Sequence, residues 1–312
     1  MASQRDHGGG VDAAIEKYGG TRAEWLDLST GINPVPYPLP LVSDAAWTAL
    51  PDRNATVDLL AVARRFWAVP EGVDILAAPG ASALIAQIPR LAKAATVHIP
   101  APTYNEHAAS FSANGWQVVD AGAAQAQVLV HPNNPDGRVW SAHDITTPLT
   151  FIDESFCDTC PDQSLISQSA RPGTLVLKSF GKFWGLAGVR LGFAIGDPAL
   201  TAQLKEMLGP WPVSGAALEI GKAALGDMTW ADTTRARLTR DAKRLDALVG
   251  SSSATVLGGT TLFRLYQVDD AAHWQDKLAR HRIWSRVFPY APDWVRLGLP
   301  GPDGWARLEA AL

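Results

Sequence analysis

Short, almost continuous apolar segments alternate with helical segments along the first two thirds of the chain, and this alternation restricts the possible folds most. The candidate strands are 74–78, 95–99, 116–119, 127–131, 149–153, 174–178 and 190–195. Helical patterns occupy intervals between them, at 56–68, 81–92 and 103–113. Strands that are buried on both faces are apolar throughout, whereas strands with one solvated face alternate. The pattern therefore predicts a layered α/β domain built around a mostly parallel sheet.

The remaining third of the chain indicates a second, smaller domain. Helical patterns dominate 198–249, and 254–312 contains candidate strands at 261–267, 283–287 and 294–298 with helices at 271–281 and 302–312. A chain of 312 residues exceeds what one hydrophobic core usually holds. We therefore expect an N-terminal arm at 1–40, a large domain at 41–228 and a small α+β domain at 229–312. The arm should pack on the small domain or on a partner subunit.

Charge and hydropathy exclude several classes of partner. The net charge is −4 and the isoelectric point is about 6.0, so no basic excess favours nucleic acid or an anionic membrane. The first residues, MASQRDHGGG, lack the pattern of a signal peptide. No apolar run approaches the roughly 20 residues that span a bilayer. We expect a cytoplasmic protein that binds neither nucleic acid nor membrane.

The two cysteines, Cys157 and Cys160, form a CxxC motif. Structural zinc needs about four ligands, and no second Cys/His pair stands at ligand spacing. A thioredoxin-like motif would open a helix after the first strand, and this one does not. We expect two unpaired thiols that carry out no chemistry, and no metal site.

The segment SFGKFWGLAGVRLG at 179–192 carries the strongest signal for chemistry. It places Lys182 in a turn rich in glycine and aromatic residues, where desolvation would lower the pKa of the lysine and favour attack on a carbonyl. Ser179 and Arg190 supply a hydroxyl and a planar cation, which suit a phosphate. Taken alone, Lys182 and Arg190 would also fit two solvated loop charges.

Residues after other candidate strands favour the first interpretation. Asp153 ends the strand 149–153, and the carboxyl ends of strands face the usual ligand crevice of an α/β sheet. Asn134 lies in HPNNPDG, and Ser82 lies in PGASALI, a turn that leads into a helix. Tyr104 follows the strand 95–99 and can stack on a planar ligand. Each of these also has a plain structural interpretation as a cap, a turn or a core residue.

Together, the motifs PGASALI, PTY, HPNNPDG, DES, SFGK and GVRLG resemble, in order and spacing, those of the fold-type-I pyridoxal 5'-phosphate (PLP) enzymes of the aminotransferase class I/II superfamily. The resemblance covers nearly the whole chain and implies a three-layer PLP-dependent transferase fold and a homodimer. It makes Lys182 the Schiff-base lysine, Asp153 the partner of the pyridine nitrogen and Asn134 the ligand of the phenolic oxygen. It makes Tyr104 the stacking ring. The implied phosphate ligands are Ala81, Ser82, Ser179 and Arg190.

Within the superfamily, the chain resembles most the threonine-phosphate decarboxylases of cobalamin biosynthesis, with the histidinol-phosphate aminotransferases as near relatives. The similarity rests on HGG at 7–9, LDLSTGINP at 26–34 and SRVFPYAPDWVRLGL at 285–299. It implies decarboxylation of L-threonine O-3-phosphate, with histidinol-phosphate-type transamination as the alternative. The implied substrate contacts, with phosphate and carboxylate not assigned between the arginines, are His7, Asn33, Asn134, Arg286 and Arg296.

Three departures from the family pattern concern the cofactor site. Phe156 stands where a tyrosine is usual, Leu50 replaces a tyrosine that reaches the phosphate across the dimer, and Gly181 replaces a serine. The sequence gives little support to two further classes of function. A non-catalytic regulator lacks support because Lys182 is intact and no DNA-binding extension is visible. A nucleotide binder lacks both GxGxxG and GxxxxGK[ST].

Overall fold

The computed structural model describes residues 7–252 and 254–312, so the first six residues of the predicted arm lie outside it. Contacts divide the chain into two units. The central unit comprises Pro36–Asn134 and Arg138–Thr233, and the terminal unit comprises the chain up to Val35, Pro135–Gly137 and Thr234–Leu312. Among the described residues, no helix combines the length and apolarity required to cross a membrane.

Strands and helices are numbered in chain order over the described residues. The strands are β1 Leu26–Asp27, β2 Asp74–Ala78, β3 Thr96–His98, β4 Gln117–Val119, β5 Ala126–Val130, β6 Leu149–Asp153, β7 Thr174–Ser179, β8 Gly192–Gly196, β9 Thr255–Thr260, β10 Phe263–Gln267, β11 Ile283–Trp284, β12 Arg286–Phe288 and β13 Ala291–Gly298. The α-helices are α1 Val11–Tyr18, α2 Asp44–Thr48, α3 Arg53–Phe66, α4 Ala81–Gln87, α5 Asn105–Ala113, α6 Pro198–Leu208, α7 Gly215–Gly226, α8 Met228–Gly250, α9 Ala271–Arg280 and α10 Trp305–Ala311.

The central unit is built on a seven-stranded sheet with the order β2-β8-β7-β6-β5-β3-β4. Strands β3 to β7 run parallel to one another, whereas β8 runs antiparallel to both of its neighbours, β2 and β7. Every residue of β5 and β8 is buried, as strands covered on both faces require. The predicted α/β class and mostly parallel sheet are confirmed.

Helix boundaries in the central unit follow local chemistry. Asp52 caps α3 by accepting a hydrogen bond from the amide of Ala55. The predicted helix 81–92 is shorter, because Pro89 removes a backbone donor and the chain continues as a 3₁₀ helix over Ile88–Leu91. Gly80 precedes α4 with a φ of 87°, a value that only glycine adopts readily.

The terminal unit contains a four-stranded antiparallel sheet with the order β12-β13-β10-β9. A separate pair, β1 with β11, is parallel. The single strand predicted at 283–287 is therefore two strands in two sheets, separated by the buried Ser285. Strand β9 was not predicted, because it is a largely exposed edge strand with two glycines and lacks an apolar pattern.

Candidate active site

A cavity lies at the carboxyl edge of the central sheet, where the strands of α/β proteins usually present ligand-binding groups. It encloses about 690 Å³ of empty space, part of it open to solvent. Asp153 ends β6 and Ser179 ends β7, so the parallel register brings both side chains to this edge. All eight residues predicted to bind the cofactor line this one cavity: Ala81, Ser82, Tyr104, Asn134, Asp153, Ser179, Lys182 and Arg190.

Asp153 is a buried carboxylate that the surrounding donors keep ionised. Its Oδ2 accepts a hydrogen bond from His107 Nε2 at 2.8 Å, and its Oδ1 accepts from Ser155 Oγ at 2.5 Å and Ser155 N at 3.0 Å. Burial alone would raise the pKa of Asp153, but the hydrogen bond and charge of His107 and the two Ser155 bonds outweigh it and lower the pKa. The cavity therefore contains a fixed negative charge.

Two lysines lie close together in the sequence, and only one faces the cavity. Lys182 lines it, with Nζ 5.6 Å from the centre of the Phe156 ring. Lys178, by contrast, is 2% exposed and donates to Glu154 Oε2 at 2.5 Å, with Asp158 at 3.8 Å. Although burial opposes the charge, these two carboxylates raise the pKa of Lys178, so its amine stays protonated and cannot act as a nucleophile.

Packing fixes the turn that carries Lys182. The flanking rings of Phe180, Phe183 and Trp184 are all buried, and Phe180 stacks on Trp184 at 5.3 Å. Gly181 packs so tightly that an added Cβ would lie 2.9 Å from the Cα of Ala187. The turn is thus part of the core even though Lys182 itself is half-buried, which limits the positions open to its amine.

Arg190 and the turn at Gly80 form the opposite wall of the cavity. Arg190 adopts a left-handed conformation with φ of 55°, which is unusual for a residue other than glycine. Its Nη2 lies so close to Gly80 that an added Cβ there would approach it to 2.7 Å. Ser82 and Ser179 add hydroxyls to the same cavity. A guanidinium and two hydroxyls form a donor set suited to a phosphate.

Sequence reasoning missed His107 and Ser155. His107 is fully buried on α5, three residues after Tyr104, with the two rings edge-to-face at 6.1 Å. The available signal was a histidine in the first turn after the aromatic residue, but sequence does not show which acid it meets. Ser155 lies two residues after Asp153 and could have been recognised as a local donor to that carboxylate.

In the terminal unit, the two predicted substrate arginines lie together. Arg286 on β12 is the direct cross-strand partner of Arg296 on β13, so both side chains project from one face of the sheet. Arg296 is 5% exposed and donates to the carbonyl oxygen of Ser29 at 2.7 Å. Two guanidinium groups on one face of a sheet are a donor set suited to an anion.

Asn33 and His7, the other predicted substrate residues in the terminal unit, have different surroundings. Asn33 is buried, and its Oδ1 accepts hydrogen bonds from Arg237 Nη2 at 2.6 Å and from the amide of Val35 at 3.1 Å. These bonds fix the orientation of the Asn33 amide. His7 is exposed. The roles predicted for both residues stay predictions.

A cavity that combines a lysine, an ionised buried aspartate and a phosphate-type donor set on such a sheet defines a PLP-dependent enzyme of fold type I. The family model described as aminotransferase class I and II matches residues 52–304. The chain belongs to that family.

Comparison with known proteins refines this assignment. The chain is 40% identical to a protein named threonine-phosphate decarboxylase from Sinorhizobium sp, over 100% of this chain and 98% of that protein. It is 38% identical to the protein of the same name from Pseudomonas aeruginosa, over 98% and 97% of the two chains. A solved histidinol-phosphate aminotransferase from Sinorhizobium meliloti, in complex with PLP, superposes with a TM-score of 0.81 at 19% identity, covering 99% of this chain and 94% of that one. The last comparison shows the shared fold.

Proposed function

We propose that this enzyme decarboxylates L-threonine O-3-phosphate to (R)-1-amino-2-propanol O-2-phosphate in cobalamin biosynthesis. The observation that carries the proposal is the full-length similarity to two proteins named threonine-phosphate decarboxylase. Transamination of the histidinol-phosphate type uses the same kind of cofactor site and is the alternative. Its support is the shared fold of a histidinol-phosphate aminotransferase, at an identity too low to indicate activity.

The residues of the cavity fit PLP. The empty space falls within the roughly 300–1,000 Å³ typical of small-molecule sites. We assign Ser82, Ser179 and Arg190 to the cofactor phosphate, together with the backbone of Ala81. We assign Asp153 to the pyridine nitrogen, because an ionised carboxylate favours a protonated ring.

Two further side chains complete the cofactor assignment. Asn134 can donate to the phenolic oxygen of the ring, and the aromatic ring of Tyr104 can stack on its face. Phe156, which also lines the cavity, has no hydroxyl to donate, so Asn134 supplies the hydrogen bond that a tyrosine there would share. Asn134 should therefore contribute more to holding the phenolic oxygen in this chain than the family pattern implies.

Residues of the chain hold the cofactor, supply a proton and keep Asp153 ionised. PLP, when bound, accepts the electrons that remain on the substrate Cα after CO₂ leaves. Lys182 first holds the cofactor through Nζ and, once released, can deliver a proton from Nζ to the Cα of the product. Asp153 stays ionised throughout because His107 and Ser155 donate to it. Lys178 cannot replace Lys182, because its ammonium is committed to Glu154.

Arg286 and Arg296 are assigned to the anions of the substrate. Their cross-strand pairing concentrates two positive charges on one face of the terminal sheet, and a phosphate dianion would neutralise both. A decarboxylase gains rate only from interactions that favour the transition state, so a firm grip on the departing carboxylate would not help. We therefore assign Arg286, with His7, to the phosphate, and leave Arg296 to either anion. Asn33 and Asn134 complete the substrate contacts.

The substrate assignment is tested by incubating the holoenzyme with L-threonine O-3-phosphate. Release of CO₂ with formation of 1-amino-2-propanol phosphate, without any added amino acceptor, is the expected result. A keto-acid product that forms only when an amino acceptor is added would instead establish the aminotransferase.

We also propose that the protein is a homodimer, supported by large apolar side chains exposed on the central unit: Leu39, Leu41, Trp47, Leu50, Val57 and Trp211. Trp47 is 68% exposed, and Val57 and Trp211 line one cavity with Pro51. Exposed apolar clusters mark interaction surfaces. Light scattering should give twice the mass of one chain, and Trp47→Glu should shift the mass toward that of one chain.

A cytoplasmic location is proposed as well. Cys157 and Cys160 are both free, and unpaired thiols are typical of a reducing compartment. Cell fractionation tests this, and recovery of the protein in an oxidising compartment would contradict it.

A further inference from the structure

The CxxC motif lies in a tight turn directly after the strand that carries Asp153. Cys157 begins a 3₁₀ helix over Cys157–Thr159, and the amide of Cys160 donates to the carbonyl oxygen of Cys157 at 2.9 Å. The Cys157 thiol donates to the carbonyl oxygen of Cys160 at 3.8 Å. The two cysteines, both free, are thus joined by hydrogen bonds in both directions.

The geometry of this turn suits a bond between the two sulfurs. The hydrogen bond from the amide of Cys160 to the carbonyl oxygen of Cys157 closes a four-residue turn, and the first and last Cα atoms of such a turn lie within about 7 Å of each other. Disulfides join Cα atoms that are about 4.4–6.8 Å apart. Bond formation therefore requires rotation of the side chains and little movement of the backbone.

The two thiols differ in the way that a nucleophilic and a resolving cysteine should differ. Cys157 is fully buried, whereas Cys160 is half-buried. The neighbouring Cys160 side chain, together with burial, raises the pKa of Cys157. The neighbouring Cys157 side chain lowers the pKa of Cys160, aided by the Thr159 hydroxyl, which donates to the Cys160 sulfur at 3.8 Å. The more accessible thiol is the one that forms a thiolate more easily.

A metal ion is the competing explanation, because His131, Glu154 and Cys157 place possible ligand atoms within 4.8 Å of one another. The hydrogen bonds argue against it. His131 Nδ1 accepts from the amide of Trp140 at 3.0 Å, and Nε2 lies 2.7 Å from the carbonyl oxygen of Gln163, so both ring nitrogens are engaged. Both oxygens of Glu154 are engaged as well, by the Lys178 ammonium, the Ser164 hydroxyl and the amide of Leu165.

We propose that Cys157 and Cys160 are a reversible oxidation site that closes an intramolecular disulfide by exchange with a low-molecular-weight disulfide. The Cys160 thiolate attacks one sulfur of the external disulfide, forms a mixed disulfide and releases one thiolate. Cys157 then loses its proton and attacks the Cys160 sulfur, which releases the second thiol. The cysteine pair is oxidised by two electrons, and the external disulfide is reduced by two.

Oxidation of the two cysteines should alter the surroundings of the cofactor in the active site. Ser155 and Phe156, the two residues before Cys157, line the cofactor cavity, and Ser155 makes two hydrogen bonds to Asp153. A disulfide replaces the bond from the Cys157 thiol to the carbonyl oxygen of Cys160 and tightens the turn. The visible absorbance of the bound cofactor is expected to shift on oxidation and to return on reduction.

The test uses the holoenzyme with oxidised glutathione as the probe. The chain contains only two cysteines, so thiols counted after denaturation should fall from two to none, with a mass loss of roughly 2 Da. Dithiothreitol should restore both. In Cys157→Ser, glutathione should remain attached at Cys160, and Cys160→Ser should react more slowly than the wild type.

Three results would overturn the proposal, and none depends on the substrate. A stable glutathione adduct on the wild type would show that Cys157 does not resolve it. Two thiols that survive glutathione buffers as oxidising as about −180 mV would show that the pair resists oxidation. A fully formed disulfide that leaves the cofactor spectrum unchanged would refute the coupling to the active site.

Discussion

Replacing His107 with phenylalanine should weaken catalysis by removing one donor from Asp153. The imidazole gives a 2.8 Å hydrogen bond to Oδ2, and both residues are almost fully buried. Its Nδ1 has no hydrogen-bond partner among the residues that the structure describes, so a phenyl ring leaves no other group without its bond. The substitution thus isolates the contact with the carboxylate.

The magnitude follows from the strength of a hydrogen bond to a charged group, about 1.5–3 kcal/mol. Loss of this bond should raise the pKa of Asp153, while Ser155 continues to hold it down. If the whole interaction supports the transition state, kcat should fall by about 10- to 100-fold. The acid limb of the pH profile should move to higher pH.

His107→Phe should also lower the free energy of unfolding, in a way that depends on pH. The pKa of Asp153 is lowered in the folded protein, so its contribution is present above the unfolded value of about 3.9 and is lost as pH falls through the folded value. The variant should be less stable than the wild type at pH 7, and the two should converge in strong acid. Urea unfolding across pH measures this.

His98→Phe is the matched control, because His98 contacts the carbonyl oxygen of Asp120 and is not bonded to Asp153. It should leave the acid limb where it is. The reasoning fails if His107→Phe keeps the wild-type kcat and acid limb, or if both histidine variants lose activity equally.

Three further substitutions test other parts of the account. Lys178→Met should destabilise the fold by about 3–5 kcal/mol in urea unfolding, because it leaves Glu154 buried without its cation; pairing it with Glu154→Leu should recover much of that loss. Gly181→Ser should cost about 1–3 kcal/mol in the same assay, because its Cβ would lie 2.9 Å from Ala187; unchanged stability would contradict the packing. Arg286→Leu should raise KM for L-threonine O-3-phosphate at least about 10-fold with little change in kcat.

The central sheet could be predicted because most of the residues in its strands are apolar. Strand β6 was predicted with its observed bounds, and β2 likewise. The reversed direction of β8 could not be predicted, because an apolar run buried on both faces has the same pattern in either orientation. The edge strand β9 has no apolar pattern, because half of its residues are exposed and two are glycines.

The cavity could be predicted in outline because strand ends and turn motifs follow a fixed order along the chain. Long-range partnerships could not be predicted. His107 is hydrogen-bonded to Asp153, which lies 46 positions later in the sequence. Lys178 differs from Lys182 in role because buried carboxylates lie beside Lys178 in the fold. In both cases the role of the residue depends on the charged groups beside it in the fold, and the spacing of residues along the sequence does not show which groups those are.

The most direct test of the central claim is borohydride reduction of the holoenzyme followed by peptide mapping. Reduction fixes the cofactor to the amine that holds it, so the labelled peptide identifies the lysine. We expect the label on Lys182, which lines the cavity, and Lys182→Ala should lose both the label and the visible absorbance. A label on Lys178, whose ammonium is paired with Glu154, would contradict the account.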